Sequence, residues 1–249
     1  SVADYGIFVG GVMMGRLVYD LNLPVTKTTN ALIVLPKSHP LVRRMSRPEP
    51  HMHRIGKSAC DQCSYCTEFC PRYLLGYEIQ PHKVMRSLGF TATGGEYWNR
   101  FAQLCCECGL CTLYACPEDL YPREACQKGK RDFAAKKLTW SGKTEVKVHL
   151  MRQGRRVPVS RLVRRLGLVE YDLPAPLQPV TLRPRSVRLL LQQHVGRPAV
   201  AAVAVGDRVT AGQEIARVAE KDLGASIHAS IAGVVKSATD QAVVIERNG

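Results

Sequence analysis

The sequence predicts an α+β protein built from several domains, because cysteine, glycine and β-branched residues occupy separate parts of the chain. All ten cysteines lie within residues 57–138. The part before them is first glycine-rich and then β-branched, and the part after residue 139 contains short β-type runs between glycine turns. We therefore divide the 249 residues into a β-containing N-terminal part, a linker, a cysteine domain, a connecting segment and a C-terminal β domain, at 1–46, 47–56, 57–138, 139–180 and 181–249.

The charge and the apolar content of the sequence limit the kinds of molecule and surface that we expect the chain to bind. The formal net charge of +14 would by itself suggest a nucleic acid or an anionic surface. Lys and Arg are concentrated in residues 128–137 and 152–165, but no motif for DNA or RNA accompanies them, so we expect no nucleic-acid partner. We interpret these runs as solvated helix faces, with docking of an acidic partner as the alternative. No apolar run approaches the about 20 residues of a membrane helix, so no membrane span is expected.

The first residues, SVADYGIFVGG, contain neither an initiator Met nor the basic and apolar regions of a signal peptide. We therefore treat the chain as a fragment of a longer protein that is not exported. Ten cysteines in such a chain favour metal or redox ligation over a disulfide framework.

The first cysteine run has a specific spacing. Cys60, Cys63, Cys66 and Cys70, followed by Pro71, form the pattern C-x2-C-x2-C-x3-C-P. This is the pattern of bacterial ferredoxins, in which three cysteines ligate one iron-sulfur cluster and the fourth ligates the other cluster. Zinc is the less favoured alternative, because a zinc ribbon uses paired C-x2-C knuckles.

A second run, starting at Cys105, repeats the C-x2-C-x2-C spacing and also ends in Cys-Pro. It departs from the first run by holding four residues, not three, between Cys111 and Cys116. We expect this extra residue to be absorbed by a bulge or a wider helical turn. Cys106 is out of register, and we interpret it as a small buried hydrophobe or a bystander.

The crossing pattern of two-cluster ferredoxins assigns eight of the ten cysteines. The expected ligands of one 4Fe-4S cluster are Cys60, Cys63, Cys66 and Cys116. Those of the second 4Fe-4S cluster are Cys105, Cys108, Cys111 and Cys70. Cys126 is left as a spare cysteine on the following helix.

The segments around the runs indicate helices. Pro81 precedes a helix that ends near Gly89, the stretch GGEYWNRFAQL predicts another, and Tyr121-Pro122 begins a third. With 34 residues between Cys70 and Cys105, the chain predicts a helical two-cluster 4Fe-4S ferredoxin domain. Before it, residues 26–35 predict a strand, and the prolines that follow predict a linker.

The C-terminal part predicts a β domain. After a short helix, SRLVRRL, closed by Gly167, the pattern V-x-x-G-D-x-V-x-x-G-Q-x-I-A and then H-A-x-I-A-G-V-V resembles a biotinyl/lipoyl-like barrel-sandwich hybrid. Carrier domains of this fold have a lysine that is covalently modified, and Lys221 is the candidate for it. Its neighbours Glu220 and Asp222 match neither the Met-Lys-Met nor the Asp-Lys-Ala motif of such carriers. We interpret the barrel as structural.

The order GGVMMG, PVTKTTNALIVLP, CDQCSYCTEFCP, LCCECGLCTLYACPEDLYPREAC and then a barrel-sandwich hybrid carries a family resemblance. It resembles the C subunits of Rnf electron-transport complexes, and more closely the corrin (cobalamin) reductases of propanediol-utilisation microcompartments. The resemblance covers essentially the whole chain. Its most specific features are the two cysteine runs, the four-residue spacing before Cys116 and the segment VPVSRLVRRLGLVEYDLPAPL.

The resemblance implies that the chain is the C-terminal portion of such a reductase, with residues 1–46 as the tail of a flavoprotein and soluble-ligand-binding region. It further implies that NADH reduces FMN in the missing N-terminal region, and that two 4Fe-4S clusters pass single electrons to cobalamin, the substrate. A corrin adenosyltransferase is the implied partner, and a microcompartment shell protein is a further one. The implied location is the bacterial cytoplasm, within a microcompartment.

Two other functions stay open. An electron-transfer subunit of a membrane Rnf-type NADH:ferredoxin oxidoreductase complex would use the same cluster chemistry but pass electrons to partner subunits. A non-redox zinc or scaffold module would keep the cysteines and the barrel without electron transfer.

Overall fold

The computed structural model describes residues 2–89 and 95–247. The chain forms two compact units. The cysteine unit comprises Ser1–Tyr19 and Ile33–Pro174, and the barrel unit comprises Asp20–Leu32 and Ala175–Gly249. The short segment 20–32, which composition alone places in the N-terminal part, therefore packs with the C-terminal unit.

A small sheet opens the cysteine unit. Its strands are β1 (Tyr5–Val9), β2 (Arg16–Val18) and β3 (Leu32–Pro36), in the order β2-β1-β3. The predicted strand at 26–35 is correct only at its C-terminal end. The backbone N–H of Thr26 donates to the hydroxyl of Thr29 at 3.1 Å, so this threonine-rich segment satisfies its polar groups in a local turn instead of a strand ladder.

Two helices occupy the proline-containing segment after β3, and the second of them overlaps residues 47–56, so the prediction of a linker there was wrong. They are α1 (Pro40–Met45) and α2 (Glu49–Ala59). The prolines begin these helices rather than prevent them, since Pro48 is the N-cap of α2 and Pro50 lies in its first turn, where a missing N–H costs no helical hydrogen bond.

The predicted helices around the cysteines are confirmed. α5 (Pro81–Ser87) ends before Gly89, α6 (Gly95–Asn99) continues as a 3-10 turn, and α7 (Pro122–Ala135) begins directly after Tyr121. The first glycine of the stretch GGEYWNRFAQL lies outside the described residues. The remaining α-helices of the described chain are α3, α4 and α8, at Tyr65–Glu68, Pro71–Leu74 and Val159–Arg165.

The described part of the barrel unit contains seven short strands in two sheets. The strands are β4 (Ser186–Leu190), β5 (Val200–Ala201), β6 (Arg208–Val209), β7 (Glu214–Arg217), β8 (Ile227–His228), β9 (Gly233–Ala238) and β10 (Ala242–Glu246). Buried side chains from both sheets, including Ile215, Ile227 and Ile245, form a single core, which gives the predicted sandwich architecture. The strand order is β4-β10-β9-β6 in one sheet and β5-β7-β8 in the other.

The structure also bears on membrane insertion. Within the part of the chain that the structure describes, none of the helices combines the length and the apolar character required to cross a bilayer.

The barrel core generates a stability prediction. Ile245 is fully buried, so Ile245→Ala should lower the local free energy of unfolding by about 2–5 kcal/mol through lost contacts and a cavity. Val205 is 65% exposed, and Val205→Ala should change it by no more than about 0.5 kcal/mol. Amide hydrogen exchange in β9 and β10 measures this stability, because the segments 20–32 and 175–249 contain no Trp, Tyr or Phe to report by fluorescence. Equal effects of the two variants would contradict the assignment of Ile245 to the core.

Candidate iron-sulfur centre

Both cysteine loops follow the same backbone path. Gln62 and Ser64 have positive φ angles of 63° and 67°, and Glu107 and Gly109 have φ angles of 58° and 81°. Each pair occupies the same positions relative to the first two cysteines of its run, at +2 and +4 from Cys60 or Cys105. Left-handed conformations are costly for residues other than glycine, so their repetition indicates that both loops curve around the same kind of centre.

The extra residue of the second run is accommodated by a π-helical turn at Cys111–Ala115. The N–H of Cys116 donates to the carbonyl oxygen of Cys111 at 3.1 Å, five residues earlier. The predicted wider turn is therefore confirmed. In the first run, the N–H of Cys70 instead donates to Thr67 O at 2.9 Å, three residues earlier. Single π-turns of this kind are frequent at functional sites.

The structure brings Cys60, Cys63, Cys66 and Cys116 together. All four line one cavity, with His82 and Met85 also on its wall. Burial raises the pKa of Cys66, and the nearby thiols of Cys116, Cys60 and Cys63 raise it further. These are the four cysteines that the crossing pattern assigns to one cluster, three from the first run and the last from the second.

The complementary four cysteines form a second group. The pKa of Cys70 is raised to about 12, chiefly by burial, and the nearby thiols of Cys108 and Cys105 contribute to the rise. Cys111 is buried, and its pKa is raised well above the ordinary range by burial and by its neighbours Cys66, Cys105, Cys70 and Cys108. Its proximity to Cys66 places Cys111 at the side of its group that faces the first group.

The two unassigned cysteines both lie beside the second group. Cys126 is fully buried on α7, and its hydrogen bond with Cys105 is the largest of the causes that lower the pKa of Cys105 to about 7. Cys106 is half-buried and hydrogen-bonds to Cys108. The sequence carried no signal for the Cys126 contact, because Cys126 lies beyond the end of the second run and shares no spacing with it.

Amide donors also point at cysteine sulfurs. The side-chain amide of Gln62 donates to Cys60 Sγ at 3.0 Å. The backbone N–H groups of Glu107 and Leu120 each donate at 3.3 Å, to Cys105 and Cys116 respectively. Hydrogen bonds to ligand sulfurs are among the factors that set the potential of an iron-sulfur cluster. Spacing alone could not identify Gln62, since it lies between two cysteines in a position open to any side chain.

A buried polar network holds the π-helical turn. Thr112, within the turn, donates from its hydroxyl to Glu124 Oε2 at 2.8 Å and accepts from the backbone N–H of Arg123 at 2.9 Å. The Nε of Arg123 donates to Glu124 Oε1 at 3.0 Å. From the other side, Arg44 Nη2 donates to the carbonyl oxygens of Thr112 and Leu120 at 2.7 and 2.8 Å. The segment between Cys111 and Cys116 is therefore fixed on both flanks.

The donor set fits a multinuclear cluster. Among residues 2–89 and 95–247, no three His, Cys, Asp or Glu side chains lie close enough to hold one metal ion. What the described residues offer instead is two sets of four thiols, one of which encloses a cavity. Four thiolates per cluster is the ligand set of a 4Fe-4S centre.

Comparison with known families agrees with this interpretation of both units. Residues 59–121 match the family described as "4Fe-4S dicluster domain", and residues 175–248 match the family described as "RnfC Barrel sandwich hybrid domain". The chain therefore has an α+β architecture that combines a region matching the 4Fe-4S dicluster domain with a region matching the RnfC barrel-sandwich hybrid domain.

Similarity to individual proteins is more specific. The chain is 41% identical to "Cobalamin reductase PduS" of Salmonella typhimurium and 36% identical to that of Citrobacter freundii, over 247 residues in each case. These alignments cover 99% of this chain and 54% of each relative, so the chain spans about half the length of these curated relatives. A third relative, the C subunit of an ion-translocating oxidoreductase complex from Actinobacillus succinogenes, is 32% identical over 77 residues, or 30% of this chain and 9% of the relative.

The network around the π-helical turn generates a prediction. Glu124→Ala should lower the free energy of unfolding of the cysteine unit by about 3–5 kcal/mol, because it leaves the buried guanidinium of Arg123 without its carboxylate. Glu145 is exposed, and Glu145→Ala should change this quantity by no more than about 0.5 kcal/mol. Anaerobic urea unfolding followed by tryptophan fluorescence measures it, since both tryptophans belong to this unit. A Glu124→Ala midpoint equal to that of Glu145→Ala would refute a structural role for the network.

Proposed function

We propose that this chain is the electron-transfer portion of an NADH-dependent cobalamin reductase, passing electrons through two 4Fe-4S clusters. The observation that carries the proposal is the sorting of eight cysteines from two crossing runs into two groups of four. The match to a 4Fe-4S dicluster domain and the similarity to Cobalamin reductase PduS over 99% of the chain support it.

In this proposal each group of four thiolates holds one 4Fe-4S cluster. The ligands of the first are Cys60, Cys63, Cys66 and Cys116, and those of the second are Cys105, Cys108, Cys111 and Cys70. Bound clusters of this type supply one-electron oxidation and reduction.

The protein's own contribution is placement and shielding. Cys66, Cys70, Cys111 and Cys116 are buried, so the protein would exclude water from two of the four thiolates in each ligand set. Cys63 is exposed, which makes the loop at Cys63 the side of the first group nearest to solvent. Burial and hydrogen bonds to sulfur are the means by which a protein adjusts a cluster's potential.

The other cofactors belong to the proposal as well. Since the chain covers 54% of its reductase relatives, we assign FMN and NADH to a part of the protein outside these 249 residues and name no residue here for them. Cobalamin is the proposed substrate, and its reduced form would pass to a corrin adenosyltransferase. The proposed location is the bacterial cytoplasm within a microcompartment, with a shell protein as a further partner.

The first test is the metal content of the anaerobically purified chain. We expect about eight irons and eight sulfides, with visible absorbance that bleaches on reduction and an EPR signal of two interacting clusters. Cys116→Ser should reduce the iron content to about four, because it removes one ligand of the first group. Cys106→Ser is the matched control and should keep about eight.

Two outcomes would contradict this assignment. Equal iron loss in Cys106→Ser and Cys116→Ser would refute the proposed ligand sets. A preparation without iron from iron-replete, anaerobic cells would refute electron transfer by this chain.

The amide of Gln62 gives a second prediction. Its hydrogen bond to Cys60 Sγ stabilises negative charge on the sulfur, so Gln62→Leu should lower the midpoint potential of the first cluster. An EPR-monitored redox titration measures the shift. The matched control is Gln178→Leu at an exposed position of the barrel unit, which should leave both potentials unchanged. A potential unaltered in Gln62→Leu would show that this donor does not influence the cluster.

The similarity to the C subunit of an ion-translocating oxidoreductase complex favours one alternative acceptor. In that case the same clusters would pass electrons to partner subunits of a membrane complex. Stable co-purification of the chain with integral membrane proteins would support the alternative, and reduction of free cobalamin by the full-length protein would argue against it.

A further inference from the structure

A cavity of about 380 Å³ lies within the cysteine unit, next to the π-helical turn, with Leu113 of that turn in its wall. Three separated parts of the chain form its wall: α1 and the residues after it, the segment at Leu113 to Tyr121, and the end of α8. Its size falls within the about 300–1,000 Å³ that is usual for small-molecule sites.

The charge of this cavity is strongly positive. Four arginines line it, Arg43, Arg44, Arg47 and Arg165, against a single carboxylate, that of Asp119. Four positive charges and one negative charge leave a formal excess of three positive charges. A guanidinium presents several N–H donors in a planar fork that matches phosphate oxygens, so converging arginines favour phosphate groups.

Two of the four arginines have structural partners. Arg165 donates to Asp119 Oδ1 at 2.8 Å, and Arg44 lies 3.6 Å from the same oxygen while its guanidinium packs 4.7 Å from the centre of the Tyr121 ring. Arg44 also keeps one buried donor, Nε, that has no hydrogen-bond partner among the described residues. These contacts fix two guanidiniums at the cavity wall before any ligand arrives.

The other two arginines are differently placed. Arg43 and Arg47 are exposed, as is Arg165, but unlike Arg165 neither forms an ion pair with a carboxylate in the described part of the chain. A cation at the C-terminal end of a helix is favourable for that helix alone, which would account for Arg43 or Arg165 singly. It does not account for the convergence of arginines from two helices, together with Arg47 beyond the end of α1, on one concave surface.

The remaining wall is apolar. Leu113 and Leu166 are buried residues that line the cavity, and the Tyr121 ring adds an aromatic face. A site for an inorganic ion alone would not need this surface. The combination of arginine forks with an apolar and aromatic wall suits a molecule with an anionic end and an organic body.

We propose that this cavity binds the phosphate or diphosphate group of a small organic molecule. Arg43 and Arg47 would supply the mobile donors, and Arg44 and Arg165 the fixed ones. Leu113 lies between Cys111 and Cys116, so the ligand would sit against the turn that joins the two cysteine groups. The proposal goes beyond electron transfer and does not depend on it.

Calorimetric titration of the intact, anaerobically purified chain with inorganic pyrophosphate, and separately with phosphate, at constant ionic strength tests the proposal. We expect saturable binding that is stronger for pyrophosphate. The double variant Arg43→Gln/Arg47→Gln should weaken it by about tenfold or more, because it removes two charge-assisted donors. The double variant Arg161→Gln/Arg164→Gln is the matched control, since it removes two exposed charges of α8 that do not line the cavity.

Three outcomes would overturn the proposal: no saturable binding, equal weakening by the two double variants, or binding of an acidic peptide in place of pyrophosphate. The last would make the cavity a protein-docking surface. Iron content and far-UV circular dichroism of each variant verify that it folds. The iron content of the unaltered chain keeps the two proposals separate, because absence of iron there refutes the cluster assignment while the pyrophosphate titration decides the anion site.

Discussion

The buried ion pair of Arg123 and Glu124 is the interaction on which the geometry of the cysteine unit depends. It begins α7 and, through Thr112, holds the π-helical turn that brings Cys116 to the first group and Cys111 to the second. A buried pair of charges adds little net stability because desolvation offsets its attraction. Its value here is geometric, since Glu124 Oε2 and the backbone N–H of Arg123 both hydrogen-bond to the hydroxyl of Thr112 within the turn.

The same turn is held from its other face by the N-terminal sheet and α1. Leu113 packs in one core with Phe8 of β1, Leu35 of β3 and Val42 of α1, while Arg44 binds two carbonyl oxygens around the turn. A glycine-rich segment that carries no cysteine therefore acts as a support for the metal-binding part of the chain. Close-packed cores transmit small displacements, so this support also restricts how far the second run can shift.

Spacing predicted which cysteines lie near one another better than it predicted the surrounding elements, while their role as cluster ligands stays a prediction. The cysteine pattern predicted the two groups because ligand spacing is imposed by the cluster and not by distant packing. The prolines at 47–56 led to a wrong prediction, since Pro48 and Pro50 stand where a helix tolerates them, and a threonine-rich run at 26–29 formed a turn through its own hydroxyls. Gln62 escaped prediction because its position within the cysteine loop is open to any side chain. Cys126 escaped prediction because a tertiary contact, which no short-range pattern encodes, places it beside Cys105.

The crossing of the fourth cysteines has a topological consequence. Each group contains three thiols from one run and one from the other, across a loop of 34 residues between Cys70 and Cys105. Each metal cluster would therefore act as a reversible cross-link between the two cysteine runs. Together the two clusters would close the loop between the runs twice, where a single disulfide would close it once. Neither run could complete a set of four ligands without the other run. Incorporation of metal and completion of the tertiary structure would therefore be a single cooperative event.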